Sequence, residues 1–180
     1  MTLRKGKCYS KSREVPYTRK SKVRTKGYIK APPQTKIVKF TMGNYQKYRG
    51  GGFNYVVKVI SREYVQIRDN ALEACRLLVH RHLEKDLGKI NYMLQVNAYP
   101  HHVLRENKML TGAGADRMST GMKKSFGKSI GIAARVKVGQ VFYSLYLDER
   151  NLVLGRQALR KIVHKLPCSC SIQAEKLENL

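Results

Sequence analysis

The sequence predicts an α+β fold: a mostly antiparallel sheet with two helices, an extended N-terminal arm and a long basic loop. Three observations lead there. Short runs rich in Val, Ile and Tyr are grouped around two longer segments of helical periodicity, an order that suits α+β rather than a doubly wound sheet. The 36 Lys and Arg outnumber the 12 Asp and Glu, giving a net charge of +24 that is concentrated at one end of the chain. Residues 101–130, between two of the strands, show no periodicity over most of their length, far beyond the few residues of an ordinary connection.

Residues 1–35 form the arm, 36–174 a single domain and 175–180 a polar tail. The first thirty residues carry 11 basic residues against one acid, and their apolar residues are too sparse to offset the ordering entropy alone. Lys36–Phe40 reads as a short strand. In Thr41–Gly52, the run Gly50, Gly51, Gly52 with Lys47 and Arg49 fits either a backbone cradle for phosphate or a flexible turn, and the pattern leaves both open. Phe53–Ser61 and Glu63–Arg68 read as strands joined near Arg62.

Asp69–Leu87 has helical spacing, with Asn70 and Glu73 as a capping box and Gly88 as the stop. Its apolar stripe is Leu72, Cys75, Val79 and Leu83, widened by Ala71 and Leu78, which puts Glu73, Arg76, His80 and Glu84 on the wet face. Ile90–Tyr99 is a strand ended by Pro100. Ile132–Val138 and Gln140–Leu147 alternate as strands around a turn or bulge at Gly139. A second helix begins near Asn151, burying Leu154, Ala158, Leu159, Ile162 and Leu166 and exposing Arg156, Arg160, Lys161 and Lys165, and Pro167 ends it. Ser169–Ala174 can form a last strand.

The charge points to a partner. Net charge is +10 over residues 1–30, +6 over 31–68, zero over 69–100, +4 over 101–130 and +4 over 131–180. Lys and Arg without acids, interleaved with Gly, Ser and some of the 11 Tyr, suit a nucleic-acid backbone and, with Tyr in the arm, folded RNA. The arm cations Arg4, Lys5, Lys7, Lys11, Arg13, Arg19, Lys20, Lys22, Arg24, Lys26 and Lys30, with Lys47 and Arg49, are the expected phosphate contacts. In the loop the expected contacts are His101, His102, Arg105, Lys108, Arg117, Lys123, Lys124 and Lys128. Gly112, Gly114 and Gly121 would let its backbone approach closely.

Other chemistries fit poorly. GMKKSFGKS at Gly121–Ser129 has five residues where a phosphate-binding loop needs four, and GAGADR at Gly112–Arg117 ends in Arg where a dinucleotide fingerprint needs glycine. His101 and His102 could serve an RNA-processing enzyme as acid and base, but no carboxylate pair or nucleophile accompanies them. A general DNA-compacting protein is the other alternative. Cys8, Cys75, Cys168 and Cys170 lack the paired spacing of a zinc site, so no metal, cofactor or small-molecule substrate is expected. No apolar run is long enough for a membrane span and no secretory signal is evident, so a reduced cytosolic setting is the default.

Asn97–Gln140 closely resembles the large-ribosomal-subunit family called L-ten-e in archaea and L-sixteen in bacteria. The most specific pieces are AGADRMSTGM (Ala113–Met122), FGK (Phe126–Lys128) and ARVKVGQ (Ala134–Gln140). The arm with RGGG and the helix ALEACR (Ala71–Arg76) resemble the archaeal and eukaryotic branch, and the short C-terminus favours the archaeal form. The resemblance implies a fold of the α/β-hammerhead type and a structural role with no catalysis. It also implies a place against large-subunit rRNA near the 5S rRNA, among neighbouring ribosomal proteins, with the loop His101–Lys128 directed toward tRNA.

Overall fold

The computed structural model describes residues 15–22, 27–107, 109, 112–115, 119 and 121–177, with the Lys124 side chain excepted. The fold is α+β. The strands are β1 (Thr41–Gly43), β2 (Tyr55–Ser61), β3 (Val65–Arg68), β4 (Tyr92–Val96), β5 (His102–Glu106), β6 (Lys128–Val136), β7 (Val141–Leu147) and β8 (Cys170–Lys176). Three α-helices occur among the described residues: α1 (Tyr45–Arg49), α2 (Asp69–Leu87) and α3 (Leu152–Val163).

The strands form two sheets, not one. Five pair in the order β1-β4-β7-β2-β8 and three in the order β3-β6-β5, and every strand pairing is antiparallel. β2 and β3, adjacent in the chain, fall in different sheets, as do β6 and β7. The two crossings lie side by side: the Gly139 N–H donates to the Ser61 carbonyl at 2.9 Å and the Ser61 N–H to the Gln140 carbonyl at 3.0 Å. Alternation along a strand cannot distinguish a hairpin from a change of sheet, because both keep the period of two.

One core joins the sheets through the helices. Leu72, Cys75, Val79 and Leu83 of α2 and Ala158, Leu159 and Ile162 of α3 pack with Val57, Val59, Leu94, Leu145 and Leu147 of the larger sheet and Ile67, Ala134 and Val136 of the smaller. The Tyr143 hydroxyl, fully buried, donates to the Leu72 carbonyl at 2.7 Å, which keeps its polar end satisfied inside the core. α3 seats closely because its contact residue is Gly155: a Cβ there would lie 2.2 Å from Leu147 Cδ1.

Several expectations need correction. The first strand is Thr41–Gly43, not Lys36–Phe40. Asn70 does not cap α2, which starts at Asp69 without a side-chain cap. Asp69 is buried and accepts the N–H of Asn70 through Oδ1 and that of Lys36 through Oδ2. Arg76 is buried, not on the wet face. It pairs with Glu73 one turn back and donates to Met42 Sδ at 2.9 Å. Leu154 is 40% exposed and lies off the buried stripe of α3.

Candidate nucleic-acid interface

The unpatterned loop is shorter than the sequence suggests. β5 and β6 extend it as a ladder in which His102 faces Ala133 and Glu106 faces Lys128, so the connection spans only 107–127. His102–Glu106 hides its strand character because it mixes His, Arg and Glu with Val and Leu.

The base of the loop is clasped to the arm. The Tyr17 N–H donates to His102 Nδ1 at 2.8 Å, and the Val103 N–H donates to the Tyr17 carbonyl at 2.8 Å. The Tyr17 ring stacks on His102 at 5.4 Å and meets Phe126 edge-on at 5.9 Å. The Arg105 guanidinium lies between the two other rings, 3.9 Å from the Tyr17 centroid and 3.2 Å from that of Phe126, and donates to the Phe126 carbonyl. Such a cation between two rings gains on the order of 1 kcal/mol per ring, more where water is excluded. Ile29, Val103 and Ile132 bury one another beside Tyr17. The arm turns back on itself here, with the Thr18 N–H donating to the Gly27 carbonyl and the Ile29 N–H to the Thr18 carbonyl.

Gly127 completes the stem. It sits at φ +75°, and a Cβ would lie 2.6 Å from the Glu106 carbonyl carbon, so only glycine allows the two sides to meet here. Asn107 Nδ2 bridges to the Gly121 carbonyl at 3.3 Å.

The clasp changes the chemistry of His102. Burial first, then the neighbouring Arg135, His101 and Arg105, push its pKa down to about 4. It is a neutral acceptor inside the body, 5% exposed, and not a loop residue. Arg105 likewise is committed to the stem. His101 is exposed, with Nδ1 3.1 Å from the Tyr99 carbonyl.

The remaining predicted contacts divide by position. Arg19, Lys20, Lys22 and Lys30 are exposed on the arm beside the clasp, Arg49 at the end of α1, and Lys123 and Lys128 along the loop and its exit. Gly112, Gly114 and Gly121 have positive φ and open space around them. Lys47 is engaged elsewhere: its ammonium is 2.7 Å from Asp148 and 4.6 Å from the Phe53 centroid. Arg4, Lys5, Lys7, Lys11, Arg13, Arg24, Lys26, Lys108 and Arg117 lie outside the described residues, as does the side chain of Lys124.

The triple glycine is a helix terminator and not a phosphate cradle. The N–H groups of Gly50, Gly51 and Gly52 donate to the carbonyls of Gln46, Tyr48 and Lys47 at 3.0, 3.1 and 2.9 Å, so all three are used by α1 itself. Cys168 and Cys170 are free thiols with sulfurs 3.6 Å apart, and no group of three or more potential metal ligands occurs among the described residues.

A basic arm and a basic loop clasped on a small α+β body are thus the surface to be explained. A profile of the family described as ribosomal protein L16p/L10e matches residues 12–173. The chain belongs to that family. It is similar to the protein named large ribosomal subunit protein uL16 in Methanococcus aeolicus, with 42% identity over 96% of this chain and 94% of the relative. The proteins of the same name in Staphylothermus marinus and Hyperthermus butylicus are 42% and 43% identical, each over 99% of this chain and 97% and 96% of the relative. These archaeal relatives identify the chain as the archaeal form. As a member of this family it is a ribosome-bound structural protein of translation in the cytoplasm, and not an enzyme. No helix among the described residues is long and apolar enough to cross a membrane.

Proposed function

We propose that this L16p/L10e protein binds large-subunit rRNA near the 5S rRNA through its arm, beside neighbouring ribosomal proteins, and helps position tRNA through the loop 107–127. The observation that carries this reading is the clasp of Tyr17, His102, Arg105 and Phe126, which makes arm and loop one mechanical unit. Phosphate contacts by the exposed arm cations Arg19, Lys20, Lys22 and Lys30 would fix the register of the arm, and through Tyr17 the direction of the loop. The α/β-hammerhead description and the arm–body division at residue 35 belong to the same proposal. So do the RNA contacts of the predicted residues outside the described ones.

The test is deletion of Leu110–Gly121. The shortened protein should still fold and dock on large subunits, since β5, β6 and the clasp lie outside the deleted segment. Subunits carrying it should bind tRNA poorly. Normal tRNA binding and translation with the deletion would refute the role of the loop.

A further inference from the structure

A second cationic surface stands apart from the arm and the loop. From Arg150 to Ala174 the chain contains no Asp or Glu. α3 turns Gly155, Ala158, Leu159 and Ile162 inward, leaving Arg156, Arg160, Lys161 and, just past its end, Lys165 exposed. Arg156 and Arg160 are one turn apart, as are Lys161 and Lys165, so each pair repels. Among the described residues, no carboxylate lies within ion-pair range of any of the four.

The neighbouring helix does not neutralise them. Of the four acids of α2, Asp69 accepts backbone N–H groups, Glu73 is spent on Arg76, Glu84 on Lys89 and His80, and the exposed Asp86 forms no ion pair with any of the four cations. Where α2 meets α3, Lys161 Nζ is 3.2 Å from Nδ1 of His82 and not beside an acid. A favourable interaction with the helix dipole accounts for cations in the last turn, Arg160 and Lys161, but not for Arg156 near the start. The close seating of Gly155 on Leu147 holds the whole row rigidly against the sheet.

α3 packs on β2, β7 and β8 of the five-stranded sheet, whereas the clasp is built on β5 and β6 of the other. We infer that the outer face of α3 is a second RNA-phosphate surface, so that the protein is held between two RNA segments. The inference rests on the rRNA-binding reading above, which supplies the polyanion. Charge complementarity selects RNA as the occupant.

The test compares the full-length protein with Arg156→Gln/Arg160→Gln/Lys161→Gln/Lys165→Gln. A control, Lys36→Gln/Lys39→Gln/Arg62→Gln/Lys137→Gln, removes the same charge from exposed positions elsewhere. Thermal unfolding establishes that all three fold. Binding to purified large-subunit rRNA is then followed against salt. Four phosphate contacts should lower the slope of log affinity on log salt by about 3 to 4, at ~0.7 to 0.9 per contact. The control should lose about 1 or less. Equal losses in the two variants would overturn the inference, since net charge alone would then account for them. An α3 variant with an unchanged slope that no longer joined large subunits would also overturn it, in favour of an acidic protein partner. A shallow slope for the wild type would instead sink the rRNA-binding reading, so the two failures are distinguishable.

Discussion

Acid should loosen the clasp through His102, and by a calculable amount. The imidazole titrates near 6.5 in an unfolded chain and at about 4 in the fold. Below pH 6.5 the unfolded state therefore binds a proton that the folded state refuses. Stability is fully present above 6.5 and is lost as the pH falls toward 4. That gap is worth on the order of 3 kcal/mol, at ~1.36 kcal/mol per pH unit. For a chain of this size it lowers the Tm by about 6 to 12 °C. The geometry gives the cause: a proton on Nδ1 would face the Tyr17 N–H, which that nitrogen accepts, and would add charge beside Arg105, Arg135 and His101. The comparison is with His102→Gln, whose amide oxygen can accept the same N–H but does not titrate. Unfolding is followed from pH 7.5 to 4.5 for both proteins. Glu63 and Glu84, held low chiefly by hydrogen bonds from Ser169 and Lys89, titrate alike in both, so the difference isolates His102. Most of the fall should be seen in the wild type and be absent from the variant. Parallel curves would refute the argument.

Three further substitutions probe other parts of the fold. Gly127→Ala should strain the loop stem by about 1 to 3 kcal/mol, because of its positive φ and the 2.6 Å approach to Glu106. Hydrogen exchange should quicken along β5 and the first half of β6, and unchanged protection there would contradict it. Gly155→Ala improves intrinsic helix propensity by about 1 kcal/mol yet should lower the urea midpoint, because overpacking against Leu147 costs about 1 to 3 kcal/mol. A raised midpoint would mean that α3 can lift off the sheet cheaply. Glu73→Ala should cost about 3 to 5 kcal/mol by leaving the buried Arg76 guanidinium without its carboxylate. A loss below about 1 kcal/mol in chemical denaturation would show that Arg76 finds water instead.

The periodic parts of the chain were legible in its sequence. α2 and α3 follow from an apolar spacing that admits few other solutions, and β2, β4 and β7 from runs of Val, Ile, Leu and Tyr. Where the pattern misleads about the basic residues Lys47 and His102, the partner lies far away in the chain. His102 and Tyr17 are 85 positions apart, and Lys47 and Asp148 are 101 apart. A basic letter looks the same whether its charge is open to solvent or already claimed. Lys47, His102 and Arg105 each look like RNA contacts in a basic sequence, and each is held by the fold itself. Arg156, Arg160, Lys161 and Lys165 present the opposite case, since their helical spacing makes them look like an ordinary wet face. They stand out only once the fold shows that, among the described residues, none of the four forms an ion pair with a carboxylate. For a protein of charge +24, the useful distinction is therefore between cations the fold has neutralised and cations it has left for a partner.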